Sequence, residues 1–210
     1  ITAMHIPVLQ VDGFEADDVI GTLATKAGEA GVQTYMLTPD KDYGQLVRDN
    51  VFIFRPRHGG GYETMGPKEV CEKYELHSPT QVIDLLALMG DSADNFPGCP
   101  GVGPKTATKL IAEFGSIDSI LENSAKIKGK LREKVEGAVD DIRMSKFLAT
   151  IRTDVPIDLD LDALKLQEPD TARLAEIFTE LEFKSLLDKF VKKPQQPQKS
   201  VNLQLDLFAE

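Results

Sequence analysis

The sequence has few cysteines, few histidines and no tryptophan. Its two cysteines, Cys71 and Cys99, form no CxxC pair, which favours a reduced, cytoplasmic protein with two inert thiols. Its three histidines, His5, His58 and His77, neighbour neither a cysteine nor a cluster of carboxylates. This inventory argues against a zinc site and against a Ser-His-Asp hydrolase.

Long apolar runs and targeting signals are also absent. No run of about 18 apolar residues occurs, so the sequence predicts no membrane-spanning helix. The first residues lack the basic and apolar regions of a signal peptide, and they lack an initiator methionine. An apolar stretch that reads as a strand begins almost at once, at Ile6. We therefore expect the chain to be a piece cut from a longer one.

Basic residues are fewer than acidic residues in this sequence. The chain has 24 basic and 34 acidic residues, for a formal net charge of −10. Phosphate binding needs lysine and arginine, so this balance taken alone argues against a nucleic-acid partner. The 210 residues, 41% hydrophobic and 28% charged, otherwise suit one large folded domain or two small ones.

Strands and helices alternate in the first part of the chain. A helix is predicted to begin near Ala16, where Asp17 and Asp18 suit the first turn. Strands are predicted at residues 6–11, 32–38, 51–55 and 62–65, the last two joined by a glycine-rich hairpin loop. This order predicts an α/β fold, with a partial and mostly parallel sheet flanked by helices.

Helical patterns dominate after Pro67. They cover residues 67–74, 79–89, 104–114, 116–122, 129–150 and 169–190. We therefore expect three parts: an α/β domain over residues 1–85, a helical subdomain over residues 86–190, and a linker over residues 191–210. The linker is rich in Lys, Pro and Gln, a composition that does not pack into a core.

Seven acidic residues fall in three short clusters, each where a strand or helix ends. The clusters are Glu15, Asp17 and Asp18 in GFEADDVIG, Asp40 and Asp42 in TPDKDYGQL, and Asp91 and Asp94 in MGDSADNFPG. Carboxylates that converge repel one another unless a cation lies among them, and Mg²⁺ prefers such oxygen ligands. The clusters thus favour a divalent-metal site, although each alone could serve as first-turn, turn or loop-capping residues.

A different pattern follows the third acidic cluster. A predicted helix begins directly after the segment Gly101-Val102-Gly103-Pro104. The two glycines of this segment allow its backbone to approach a partner closely. The free N–H groups of the helix start attract anions, and Lys105 and Lys109 lie four residues apart on one face. This helix-hairpin-helix pattern predicts sequence-independent binding to a DNA backbone. Residues 126–134 are either a second phosphate-contacting surface or a solvated helix face.

These segments together resemble the 5′-nuclease domains of the flap endonuclease superfamily, especially those of bacterial DNA polymerase I. The resemblance covers roughly residues 6–190. It implies a PIN-like α/β domain followed by a helical, helix-three-turn-helix DNA-binding part. The implied activity is metal-dependent cleavage of 5′ ends and flaps, as in primer removal and DNA repair.

The resemblance also implies roles for the residues that match its motifs. The seven acids would hold two Mg²⁺ or Mn²⁺ ions, with Asp18, Asp40 and Asp42 at the catalytic centre. The hairpin would hold DNA and bind K⁺ through backbone carbonyls. The residues that match the hairpin are Gly101, Val102, Gly103, Lys105, Thr106 and Lys109.

Family members carry further metal-binding aspartates and a helical arch that would precede Ile1. On that basis we expect the 210-residue chain alone to be inactive or nearly so. At the other end, Gln204, Leu205, Leu207 and Phe208 resemble the peptide with which bacterial replication proteins bind the sliding clamp. That segment could instead belong to a following polymerase domain. The rival to the nuclease hypothesis is a non-catalytic DNA-binding module that uses the helix-hairpin-helix.

Overall fold

A computed structural model describes residues 1–57 and 59–192 of the chain. The strands are β1 (Thr34–Leu37), β2 (Val51–Pro56) and β3 (Tyr62–Met65). The α-helices are α1 (Ala16–Glu29), α2 (Pro67–Tyr74), α3 (Val82–Met89), α4 (Pro104–Phe114), α5 (Ile117–Glu122), α6 (Lys130–Gly137), α7 (Val139–Ala149), α8 (Thr171–Glu180) and α9 (Lys184–Leu187). Within the described ranges, no helix combines the length and the apolar character needed to cross a membrane.

The three strands form one mixed sheet in the order β1-β2-β3. β1 and β2 run parallel, with Thr34 opposite Val51, whereas β2 and β3 pair antiparallel, with Ile53 opposite Met65. The predicted hairpin is thus confirmed, and the expected parallel pairing holds for β1 and β2. The predicted α/β character of this part is confirmed as well.

The strand predicted at residues 6–11 is wrong. These residues have no regular secondary structure, and Val8 is 69% exposed. A strand needs a hydrogen-bonding neighbour, and among residues 1–57 and 59–192 no strand pairs with this stretch. Pro7 also lacks the N–H that a ladder would use.

The helical part follows the predicted start and end signals closely at α4. The helix begins at Pro104 and ends before Gly115, whose φ of 86° suits glycine.

Two long helical patterns that the sequence predicts are each divided into two helices in the structure. Residues 129–150 divide into α6 and α7 at Gly137, a poor helix former. Residues 169–190 are interrupted after Glu180, where Glu182 has a positive φ of 56°.

The apolar core is continuous from the sheet into the helices that follow it. Helix α3 is buried along most of its length and packs against both α4 and α7. The loop after α3 lies so close that a Cβ at Gly98 would be 2.2 Å from the backbone nitrogen of Gly90. Both glycines have positive φ, so this close packing requires glycine at each position.

The chain forms two compact units. One comprises Gln10–Leu159 and contains the sheet together with α1 to α7. The other combines Ile1–Leu9 with the described residues from Asp160 onward. In this smaller unit the N–H of Asp170 donates to the carbonyl of Ala3 (2.8 Å), and the Asp170 side chain caps α8.

Candidate functional site

A polar cavity of about 320 Å³ lies in the larger unit, beside the start of α1, the segment after β1 and the end of α7. It is lined by Glu15, Asp17, Asp18, Asp40, Asp42, Asp94, Phe96, Leu148, Ala149, Thr150 and Ile151. Six of the seven acids singled out from the sequence therefore surround one space. Asp91, the seventh, is not part of the lining.

The acids of α1 are held by hydrogen bonds. Asp18 accepts at Oδ1 from the N–H of Arg152 (2.9 Å) and at Oδ2 from the N–H of Glu15 (3.4 Å). Asp17 accepts at Oδ1 from the hydroxyl of Tyr43 (2.8 Å). Burial and this bond to Asp17 raise the pKa of Tyr43 well above its usual range. Asp17 and Asp18 of the first acidic cluster are therefore held in fixed orientations at the cavity.

The segment after β1 brings a second pair of acids to the cavity. Asp40 is exposed, and its Oδ1 accepts from the N–H of Asp42 (3.0 Å) at the start of a short 3₁₀-helix (Asp42–Leu46). Asp42 is buried, and its Oδ1 accepts no hydrogen bond among the described residues. Burial raises the pKa of Asp42 from 3.8 to about 6 because it disfavours the ionised form.

Lys41 links the second and third acidic clusters. Its Nζ donates to Oδ2 of Asp91 and lies 3.3 Å from Oδ1 of Asp42. Burial acts to lower the pKa of Lys41, but the bond to Asp91 and the charge of Asp42 outweigh it and hold that pKa well above normal. The same bond lowers the pKa of Asp91. The other oxygen of Asp91 accepts from the N–H of Ala93 (2.8 Å), so both of its oxygens are engaged.

The acids encircle the cavity rather than meet at one point. In the part of the chain that the structure describes, no three carboxylate, imidazole or thiol groups are close enough together to hold a metal ion. The donor set is nevertheless the one that Mg²⁺ and Mn²⁺ prefer, since it consists of carboxylate oxygens. A buried Asp42 oxygen without a hydrogen bond is also the group that a cation would satisfy. The residues present therefore fit a divalent cation in chemistry.

Several residues of the site were missed by reasoning from the sequence. Tyr43 and Arg152 orient Asp17 and Asp18, and Lys41 holds Asp91. The sequence could have indicated the role of Lys41, since this residue lies between the candidate ligands Asp40 and Asp42. Arg152 had none, because its backbone contact spans 134 positions of the chain.

The hairpin before α4 has the predicted geometry in part. Gly101 has a positive φ of 73°, whereas Gly103 has an extended conformation and borders open space. Val102 is buried, so it anchors the turn rather than facing a partner. The carbonyl of Gly101 accepts from Nζ of Lys134 (3.3 Å). The turn is thus anchored on one side and open at Gly103.

Three lysines line a groove beside this hairpin. The groove is lined by Thr106, Lys109, Leu110, Glu113, Lys126, Ile127, Lys128 and Leu131. Lys105 is exposed at the start of α4, in the first turn after the hairpin. The structure therefore brings Lys109 of α4 near Lys126 and Lys128 of the basic stretch at residues 126–134.

Two family models match the sequence of this chain. The model of the N-terminal resolvase-like domain of 5′-3′ exonucleases matches residues 1–75, and that of their C-terminal SAM fold matches residues 77–172. The chain belongs to the 5′-3′ exonuclease family. The two family domains meet near residue 76, whereas the boundary predicted at residue 85 stays a prediction.

This 5′-3′ exonuclease chain is similar to the thermostable DNA polymerase I of Thermus filiformis. The two are 44% identical over 183 residues, which is 87% of this chain and 21% of the relative. The chain thus spans about a fifth of the length of that polymerase.

Solved structures share the fold. T5 5′-exonuclease with bound zinc ions matches with a TM-score of 0.61 and 21% identity, over 88% of this chain and 62% of that chain. The catalytic core of Rad2 in complex with a DNA substrate matches with a TM-score of 0.60 and 19% identity, over 90% of this chain and 65% of that chain. The predicted fold, a PIN-like α/β domain followed by a helical part, is confirmed.

Proposed function

We propose that this chain is the 5′-nuclease part of a DNA polymerase I, where it hydrolyses phosphodiester bonds at 5′ ends and flaps with the help of divalent metal ions. The observation that carries the proposal is the cavity surrounded by six acids from three separate segments. Membership of the 5′-3′ exonuclease family and the similarity to a DNA polymerase I support it. We place such a protein in the cytoplasm of a bacterium.

Mg²⁺ or Mn²⁺ would be held by the carboxylates of the three acidic clusters. The proposed ligands are Glu15, Asp17, Asp18, Asp40, Asp42, Asp91 and Asp94, with Asp18, Asp40 and Asp42 at the catalytic centre. When bound, such ions supply Lewis acidity, which lowers the pKa of a coordinated water and offsets the charge of a phosphate. The zinc ions in the similar T5 5′-exonuclease support a divalent cation.

The side chains of this protein contribute orientation. Tyr43 fixes the carboxylate of Asp17, and the backbone of Arg152 fixes that of Asp18, before any substrate arrives. Such preorganisation favours catalysis because the groups need not reorganise during the reaction. Phe96, Leu148 and Ile151 contribute apolar surface to the lining of the same cavity.

The DNA would lie across the hairpin and the start of α4. Lys105 and Lys109 supply positive charge, and the open space at Gly103 allows a phosphate to approach the backbone N–H groups of the helix start. Gly101 and Thr106 complete the proposed contact, and the buried Val102, also expected from the sequence to bind DNA, instead anchors the turn. K⁺ bound by hairpin carbonyls is part of this proposal. The DNA bound to the structurally similar Rad2 core supports a DNA partner.

The rival function is a DNA-binding module whose acids serve only structure. Calorimetric titration with Mn²⁺ separates the two, because a binding module has no metal site that depends on the carboxylates. We expect Mn²⁺ to bind the wild-type chain and to bind Asp40→Asn about tenfold or more weakly.

Asp158→Asn, an exposed acid outside the cavity, serves as the control and should bind like the wild type. Equal Mn²⁺ binding by all three proteins, or none, would favour the binding module.

The proposed contact with a sliding clamp rests on Gln204, Leu205, Leu207 and Phe208. These residues lie outside the described part of the chain, so the contact stays a prediction from the sequence. Contact with polymerase domains is likewise a proposal, supported by the similarity to DNA polymerase I.

A further inference from the structure

Lys41 places an ammonium group between two proposed metal ligands. Its Nζ donates to Oδ2 of Asp91 and lies 3.3 Å from Oδ1 of Asp42. Lys41 lies between Asp40 and Asp42 in the sequence, so it belongs to the same acidic segment as two of the proposed ligands.

This arrangement differs from an ordinary surface ion pair. The side chains of Asp42 and Asp91 are only 12% and 10% exposed, so water and salt screen them weakly. Oδ1 of Asp42 has no hydrogen bond within the described ranges, and the ammonium of Lys41 is the cation next to it. Without a cation, the carboxylates around the cavity would repel one another.

A divalent metal ion would satisfy the same oxygens. Oδ2 of Asp91 accepts from Lys41 and its Oδ1 accepts from the N–H of Ala93, so a metal ion competes with both donors for this carboxylate. A cation that takes the place between Oδ1 of Asp42 and Oδ2 of Asp91 must displace the ammonium group of Lys41.

We propose that Lys41 is a positioning residue that holds Asp42 and Asp91 in the metal-free protein and gives them up to a divalent cation. This inference rests on the proposed metal-dependent nuclease function. It explains why the acids encircle the cavity without forming a preassembled metal cluster among the described residues. The lysine lowers the repulsion between the acids and competes with the metal for them.

Calorimetric titration with Mn²⁺ tests whether Lys41 competes with the metal ion for Asp42 and Asp91. Variants of Lys41 are compared with a control variant of Lys146. Lys41→Met keeps an unbranched side chain of similar length without its charge, and we expect it to bind Mn²⁺ about tenfold more tightly than the wild type. Lys41→Arg retains a cation and should restore the weaker wild-type affinity.

Lys146→Met is the control. Lys146 also bridges two aspartates, with Nζ 2.6 Å from Asp118 and 3.8 Å from the buried Asp84, but it lies outside the acidic cavity. We expect its loss to destabilise the protein without changing the affinity for Mn²⁺. Unchanged or weaker Mn²⁺ binding by Lys41→Met would overturn the inference, because a merely structural lysine gives that result.

A second measurement uses the wild-type chain and does not depend on whether a variant folds. Acetylation of lysines by an amine-reactive ester, followed by mass spectrometry, reports how accessible each side-chain nitrogen is and how readily it loses its proton to become the reactive amine. We expect Mn²⁺ to raise the labelling rate of Lys41 several-fold and to leave that of Lys146 unchanged. A Lys41 rate that does not rise at Mn²⁺ concentrations shown by calorimetry to saturate the protein would contradict the inference. If the wild type binds no Mn²⁺ in calorimetry, the proposed function fails, and the inference fails with it.

Discussion

The carboxylates of the cavity differ in what holds each of them. Asp17 and Asp18 accept hydrogen bonds from Tyr43 and from backbone N–H groups, so they are satisfied without a metal ion. Asp42 is buried, and its Oδ1 accepts no hydrogen bond from any described residue. Such a group lowers stability and calls for an explanation, and the ammonium of Lys41 at 3.3 Å is the cation beside it in this structure. At the scale of the residue, Asp42 is therefore the strongest pointer to a cation.

Replacement of Asp42 should stabilise the metal-free protein. Because burial raises the pKa of Asp42 in the folded state from 3.8 to about 6, the folded state holds its proton more tightly than the unfolded state. This acid thus contributes stability at low pH and loses that contribution as pH rises through about 6. In EDTA at pH 7.5, Asp42→Asn should raise the free energy of unfolding by about 1 to 3 kcal/mol.

Urea denaturation at several pH values measures this effect. The gain from Asp42→Asn should grow between pH 3.8 and about 6, the two pKa values of the acid, and should change little above that range. Asp158→Asn removes an exposed acid and should show no such trend. An equal gain at both ends of the pH range would mean that ionisation of Asp42 is not responsible.

At the scale of the element, α4 combines three features for binding phosphate. It begins at Pro104 after a hairpin, its first turn carries Lys105, and Lys109 follows one turn later beside Lys126 and Lys128. The open space around Gly103 leaves the helix start accessible. This concentration of positive charge is where we expect a chain with a net charge of −10 to contact DNA.

Removal of the two lysines of α4 should weaken binding to flap DNA irrespective of its sequence. Each phosphate contact contributes about 0.9 to the slope of log affinity against log salt, so Lys105→Ala/Lys109→Ala should lower the slope by about 2. Fluorescence anisotropy with a labelled 5′-flap duplex, in EDTA at several salt concentrations, measures both quantities.

The matched control for this prediction is Lys68→Ala/Lys165→Ala. It removes the same charge from exposed positions on α2 and in the smaller unit. If both double variants change the slope equally, the effect belongs to net charge and not to the hairpin.

At the scale of the whole molecule, the cavity depends on segments that are distant in the chain. Gln45 is buried, its Nε2 donates to the carbonyl of Ala149 (2.9 Å), and its Oε1 accepts from the N–H of Ile151 (3.0 Å). This amide joins the segment that carries Asp40 and Asp42 to the end of α7, across more than a hundred residues. One side chain thus holds two walls of the cavity together.

Gln45→Leu should destabilise the larger unit strongly. The change keeps most of the side-chain volume but leaves a buried carbonyl and a buried N–H without their partner, at a cost of about 2 to 4 kcal/mol. Urea denaturation measures the loss. Gln33→Leu, at an exposed position, should change stability by less than about 0.5 kcal/mol. A loss below about 1 kcal/mol for Gln45→Leu would contradict this account of the link.

Much of the fold was predictable because local signals and tertiary context agree. The start of α4 at Pro104 and its end before Gly115 follow from backbone preferences that any environment respects. The strand expected at Ile6–Val11 was wrong because strand formation depends on a neighbour, which local sequence does not reveal. The break of one long helical pattern near Gly137 was missed because glycine is tolerated within some helices and ends others.

The sequence by itself determined which residue types stand where strands and helices end, and thereby predicted the acids, the hairpin and the fold class. The spacing of residues within a short segment is a property of the sequence alone, so short motifs can be recognised before the tertiary structure is known. Only the tertiary structure decided that six of the acids line one cavity, that Asp91 pairs with Lys41, and that Asp42 is buried. Those relations depend on contacts between distant segments, because burial and charge pairing are properties of the packed chain and not of its order.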